Sequence, residues 1–131
     1  MTRRWLPLTY TPKIKPVLEE KCTQTIRPGR RYHVKDYVAF HGWEGKPYRS
    51  GWSFRTPMCG LCDVIDIEAH PAGIIWGGYK IPWNKCNGLA ALDYIDPPTG
   101  DELGRVIRSM HDLKCGLDMQ ILRWSPGDVL K

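Results

Sequence analysis

Hydrophobic and polar residues follow two different periods along this chain. From Asp63 to His70 they alternate by two, with Ile65, Ile67 and Ala69 on one face and Asp66, Glu68 and His70 on the other. That is the pattern of a half-buried strand. Tyr37 to Trp43 sorts in the same way, Val38 and Phe40 against Tyr37, Ala39 and His41, and Leu117 to Trp124 places Leu117, Met119 and Ile121 together. Gln24 to Arg27 reads as extended, with a turn at Pro28-Gly29. Spacings of three and four appear twice. Ile14, Val17, Leu18 and Cys22 predict a short helix over 14–22, interrupted early by Pro16. Leu103, Val106, Ile107 and Met110 form a stripe behind Thr99 and Glu102, a capping box, and Gly116 stops that helix. Residues 42–51 read as a loop, and 71–98 as a short strand followed by a loop or helical turn. The order helix, several strands, helix, strand predicts an α+β fold in one domain over 1–131, a small β-barrel with flanking helices. Doubly wound α/β is excluded, because too few helices connect the strands.

The 131 residues suit one core, and 42% apolar with 11% aromatic residues excludes wholesale disorder. No apolar run reaches the roughly 18–20 residues of a membrane span. The basic start Thr2-Arg3-Arg4-Trp5 precedes an apolar stretch too short for a secretory signal. The expectation is a cytoplasmic monomer without a membrane partner. Net charge is +5 but uneven: residues 1–55 hold 12 Lys+Arg against 4 Asp+Glu, and residues 56–131 hold 7 against 10. A basic half beside an acidic one points to a polyanion, with phosphate as the ligand group.

Cysteine chemistry is sparse. Five cysteines with no secretory signal read as reduced thiols. Cys59 and Cys62 form one CxxC pair, a weak zinc candidate without a second pair at short spacing. His33, His41, His70 and His111 lack ligand spacing, and no cofactor is expected. The absence of Walker A, GxGxxG and GxSxG patterns counts against the common nucleotide-fold enzymes and α/β-hydrolases.

The segment Val17-Leu18-Glu19-Glu20-Lys21-Cys22-Thr23-Gln24-Thr25-Ile26-Arg27 resembles the signature of ASCH domains, a branch of the PUA-like superfamily, which carry Gly-x-Lys-x-x-(Thr/Glu)-x-Arg at this point. Val34-Lys35-Asp36-Tyr37-Val38-Ala39-Phe40 resembles that family's Gly-Asp turn and following strand, with Lys35 where Gly is usual. Leu92-Asp93-Tyr94-Ile95 resembles its Asp-Gly-Phe element, and Met119 to Trp124 its terminal strand. The resemblance implies a PUA-like barrel that binds RNA or a modified nucleotide. Some small members hydrolyse acetylated cytidine with a Lys, a Thr and a Glu. By position the Thr is Thr25, the family's Gly falls on Glu20 and its Lys on Cys22; Lys21 stands one place earlier, and Glu102 is the candidate Glu. A Lys–Thr pair works because a desolvated amine takes the hydroxyl proton.

Two segments therefore carry candidate ligand contacts. Arg27 offers a fork of donors to phosphate or a base edge, with Thr23 and Thr25 alternating beside it and Lys21 nearby. The alternative for Arg27 is a structural bond to a carboxylate such as Asp36. The stretch Trp43 to Arg55 interleaves Lys46, Arg49 and Arg55 with Tyr48, Trp52 and Phe54, the mixture of stacking surfaces and cations that an unpaired base requires. Lys46, Tyr48, Arg49 and Ser50 also match the residue types of the ribonucleases in that family, and a buried aromatic hairpin is the competing reading. A protein-interaction module with a basic face is the remaining alternative.

Overall fold

The computed structural model describes residues 2–43 and 52–129. Its elements run β1 (Arg3–Pro7), α1 (Thr11–Leu18), β2 (Gln24–Pro28), β3 (Tyr37–Trp43), β4 (Trp52–Arg55), β5 (Cys59–His70), β6 (Gly73–Trp76) and β7 (Tyr79–Pro82). A 3-10 turn at Trp83–Lys85, α2 (Asn87–Leu92), α3 (Gly100–Met110) and β8 (Leu117–Val129) follow. The long alternating segments pair as the spine of the sheet, β5 antiparallel to β8 from Asp63↔Arg123 to Ala69↔Leu117. The far edge of β8 takes β2, Gln24↔Arg123 to Pro28↔Met119. The far edge of β5 takes β3 at its start and β6 at its end. Strand β3 also carries β4 and, in parallel, β1.

The architecture is mixed α+β, as the pattern predicts, but the sheet does not close into a barrel. Among the described residues, strand β1 pairs only with β3, and β2 only with β8. Pro7 and Pro28 end these two strands and have no N–H to donate, so neither strand end favours a closing ladder. The two edges are left with a cleft between them.

Alternation along β8 divides the core. Met119 and Ile121 enter a cluster with Trp83, Leu89, Leu103 and Ile107 beneath α2 and α3. Leu122 and Trp124 enter another with Leu6, Val17, Tyr32, Val38 and Phe40 beneath α1. Register shifts flank Leu61 in β5, so Leu61 joins the α1 side while Ile67 and Ala69 join the other. In β3, Gly42 is the close approach: a Cβ there would come within 2.3 Å of the Phe54 ring.

The helix behind the capping box forms as expected. Thr99 accepts a hydrogen bond from Glu102 N at 3.2 Å, and Leu103, Val106 and Ile107 are buried. Met110, in the last turn, is instead half exposed. Helix α1 lies earlier than the predicted 14–22. Pro12 occupies its first turn, where a missing N–H costs nothing. A Schellman motif ends it: Glu20 takes φ +60°, Glu20 N donates to Val17 O, and Lys21 N donates to Pro16 O. Among the described residues, no helix is long and apolar enough to cross a membrane.

Candidate functional site

The cleft between β1 and β2 has a volume of about 450 Å³, within the roughly 300–1,000 Å³ typical of small-molecule sites. Strand β1 and the turn after it supply one wall, Trp5 to Tyr10. Strand β2 supplies Thr25, Ile26 and Arg27, and α3 closes the back with Leu103, Val106 and Ile107. It therefore lies where the two halves of the core meet.

Its floor is ionic. Lys13 Nζ lies 2.8 Å from Asp93 Oδ1, and both side chains are almost wholly buried. Lys13 reaches this position because it shares the inner face of α1 with Val17, one helical turn on. Asp93 is the C-cap of α2, and a second Schellman motif fixes it: Tyr94 takes φ +56°, Tyr94 N donates to Ala91 O, and Ile95 N donates to Ala90 O. Gln24 Nε2 reaches Asp93 Oδ1 at 3.5 Å, while Gln24 Oε1 accepts from Arg123 Nε at 2.9 Å. A polar chain, buried at Gln24 and Asp93, thus runs from β8 through β2 to the cleft. Burial pushes the Asp93 carboxyl above its ordinary value, against the opposing pull of Lys13 and then Gln24.

The lips are basic and aromatic. Arg27 donates from Nη2 to Pro7 O at 2.8 Å, bridging the cleft, and its guanidinium lies 5.8 Å from the Phe40 ring centre. Arg31 lies 5.3 Å from the centre of Tyr32; Arg4 and Arg55, which do not line the cleft, lie 5.4 Å from the centre of Tyr32 and 5.1 Å from that of Trp5. His41 reports the resulting positive field: its basicity is lowered by burial first, then by Arg55 and Arg27.

The structure brings only some of the sequence candidates together. Thr25 and Arg27 line the cleft. Arg27 bonds the Pro7 carbonyl, and the carboxylate of Asp36 instead accepts the backbone N–H groups of Thr2 and His33. Thr23 precedes β2 and does not line the cleft; its carbonyl accepts from Trp124 N. Lys21 is exposed on the corner after α1, 3.8 Å from Glu19. Glu102 faces its helix neighbour Arg105 rather than Thr25, and that hydrogen bond holds its carboxyl below the usual range. Lys46, Tyr48, Arg49 and Ser50 lie outside the described residues. Trp52 is described by its backbone alone, opposite Trp43. Cys59 and Cys62 sit within β5, each hydrogen-bonding a backbone carbonyl, and no metal-binding cluster of three His, Cys, Asp or Glu groups occurs among the described residues. Cys22, at the position of the family's Lys, is wholly buried, and its thiol donates to Gln24 O at 3.3 Å. Burial raises the pKa of that thiol.

Lys13 and Asp93 were not singled out as a pair by their sequence positions. The available signal was a lysine at the i−4 position from Val17, on the apolar face of a short helix. Comparison with known proteins adds no relative: no family model, no curated protein and no solved structure matches this chain.

Proposed function

We propose that this chain is a PUA-like domain of the ASCH type that binds RNA or a modified nucleotide, with a base seated in the cleft between β1 and β2. The observation that carries the binding reading is the combination of a buried Lys13–Asp93 pair on the cleft floor with Arg27 and Arg31 at its lips. A buried donor–acceptor pair suits a base edge, and guanidinium groups suit phosphate. The family reading is supported by backbone geometry. The non-glycine residues with positive φ among those described are Glu20, Lys35 and Tyr94, and each stands where the ASCH pattern has glycine. Positive φ is the conformation that favours glycine there, so the chain keeps the family's turns without its residues.

A labelled single-stranded RNA is expected to bind at low salt, and Arg27→Ala to weaken binding by about tenfold or more, the scale of one charge-assisted hydrogen bond. Fluorescence anisotropy measures both. No binding at low salt overturns the reading.

A second reading, hydrolysis of an amide on a modified base, is favoured by one specific observation: Lys13, Asp93 and Thr25 line the same cleft. These are a Lys, a carboxylate and a Thr, the residue types of the acetylcytidine hydrolases, drawn from different sequence positions. In this chemistry the Thr25 hydroxyl attacks the amide carbonyl as the Lys13–Asp93 pair takes its proton. The leaving amine of the base receives that proton, and water then releases the acyl group from Thr25. Release of acetate from N4-acetylcytidine is expected for the native chain and should be absent in Thr25→Ala. Equal acetate release by the two proteins would remove Thr25 from this role.

A further inference from the structure

Several of the described arginines are neutralised by carboxylates. Away from the cleft, Arg30, Arg105 and Arg123 are paired with carboxylates: Arg30 with Asp66 and Asp118, Arg105 with Glu102, and Arg123 with Asp63. Arg31, which lines the cleft, and Arg4, which does not, have no ion pair among the described residues, and both are held against the ring of Tyr32, itself a cleft residue. An aromatic ring fixes a guanidinium through its π-face and leaves the full positive charge in place. The platform beneath them is rigid. Tyr32 is buried, its N–H donates to Gln120 Oε1 at 3.0 Å, and Gln120 Nε2 donates back to Tyr32 O at 3.2 Å. Trp5, on the other face of β1 from Arg4, is 47% exposed and lines the cleft, with Arg55 against its ring.

This arrangement exceeds what one nucleotide requires. The cleft already offers Arg27 to a single phosphate and an apolar wall to a single base. Arg31 adds fixed positive charge on the lip, Arg4 adds more against the same Tyr32 ring, and Trp5 adds a half-exposed indole. We infer, on the basis of the nucleotide-binding reading above, that the ligand is a single-stranded polynucleotide. One base enters the cleft, a neighbouring base stacks on Trp5, and the flanking phosphates lie against Arg31 and Arg4. Stacking surface alternating with fixed cations is how single strands are held without reading their sequence.

The test compares cytidine 5′-monophosphate with a mixed-sequence RNA hexamer, each titrated by Trp fluorescence across salt from about 50 to 200 mM. The hexamer is expected to bind at least about tenfold tighter, since one stacked base and added phosphate contacts each contribute on that scale. Each phosphate contact adds about −0.7 to the slope of log affinity against log salt for a single strand. Arg31→Ala and Arg4→Ala should therefore each make the hexamer slope shallower by about 0.7. Trp5→Ala should weaken the hexamer more than the mononucleotide. Arg31 is exposed, so its variant reports even if Arg4→Ala proves unstable. A hexamer no tighter than the mononucleotide, or a slope unchanged in both arginine variants, overturns this inference and leaves the nucleotide reading standing. Failure of both ligands to bind overturns the two together.

Discussion

Replacing Lys13 with methionine is expected to lower folding stability by about 3–5 kcal/mol at neutral pH, because it leaves the buried Asp93 without its counter-charge. The pH dependence separates this cause from lost packing. Burial raises the Asp93 pKa above its ordinary value of 3.8. Above that value the unfolded chain releases the proton while the folded chain still holds it. This contribution is therefore fully present below about pH 3.8 and is lost as pH rises through the folded-state value. Without Lys13 that folded-state value moves higher still. The gap between Lys13→Met and the native chain should accordingly be largest near neutral pH and narrow towards about pH 4, because a raised folded-state value means that Asp93 has taken up its proton before the unfolded-state value is reached. Urea unfolding at the two pH values measures it, and an equal gap at both would assign the loss to packing. The double variant Lys13→Met with Asp93→Leu should recover most of the stability, since it removes the ions together.

Gly100→Ala is the second large expectation. Gly100 opens α3, and a Cβ there would lie 1.7 Å from Trp83 O and 2.9 Å from Cys86 N, both backbone atoms. Neither can rotate away, so the N-terminus of α3 has to lift off the turn that precedes α2. Its backbone N–H bond to Asn87 Oδ1, at 2.8 Å, is lost with that movement. A loss of about 3–5 kcal/mol is expected. Gly88→Ala is the control: nothing lies within 4 Å of its added methyl, and alanine in a helix gains up to about 1 kcal/mol over glycine. Denaturant midpoints should move in opposite directions. Because α3 forms the back wall of the cleft, Gly100→Ala should also weaken the proposed RNA binding in whatever fraction remains folded.

The parts of this structure written in local pattern were legible. Thr99 and Glu102 announce α3, and the alternation of Ile65, Ile67 and Ala69 announces β5, because capping and burial on one face are satisfied by neighbours in sequence. Strand β1 was not legible. Arg3 to Pro7 is basic and ends in proline, and it becomes a strand only by lying parallel to β3, from Arg3↔Tyr37 to Pro7↔His41. Parallel pairing across that distance leaves no hairpin signal. The cleft was half legible. Thr25 and Arg27 follow from the strand that carries them, whereas the Lys13–Asp93 pair joins two helix ends eighty residues apart and depends on packing for its existence. Lys21 and Glu102 were the nearest residues of the right type in sequence, and the Schellman turn at Glu20 and the Arg105 bond turn them elsewhere. Whether the sheet closes was not legible for a related reason, since local pattern shows which segments are strands but not which edges stay unpaired.

Among the described residues strand β2 has a single partner, β8, which comes last in chain order, so Gln24 waits for Arg123. At translation rates of roughly 5–20 residues per second, about 5–20 s separate the two residues during synthesis. Throughout that interval Thr25, Arg27 and the polar chain to Asp93 have no sheet to hold them. The site is thus the last part of the molecule to exist, and a chain interrupted before β8 would carry every cleft residue named here without the cleft.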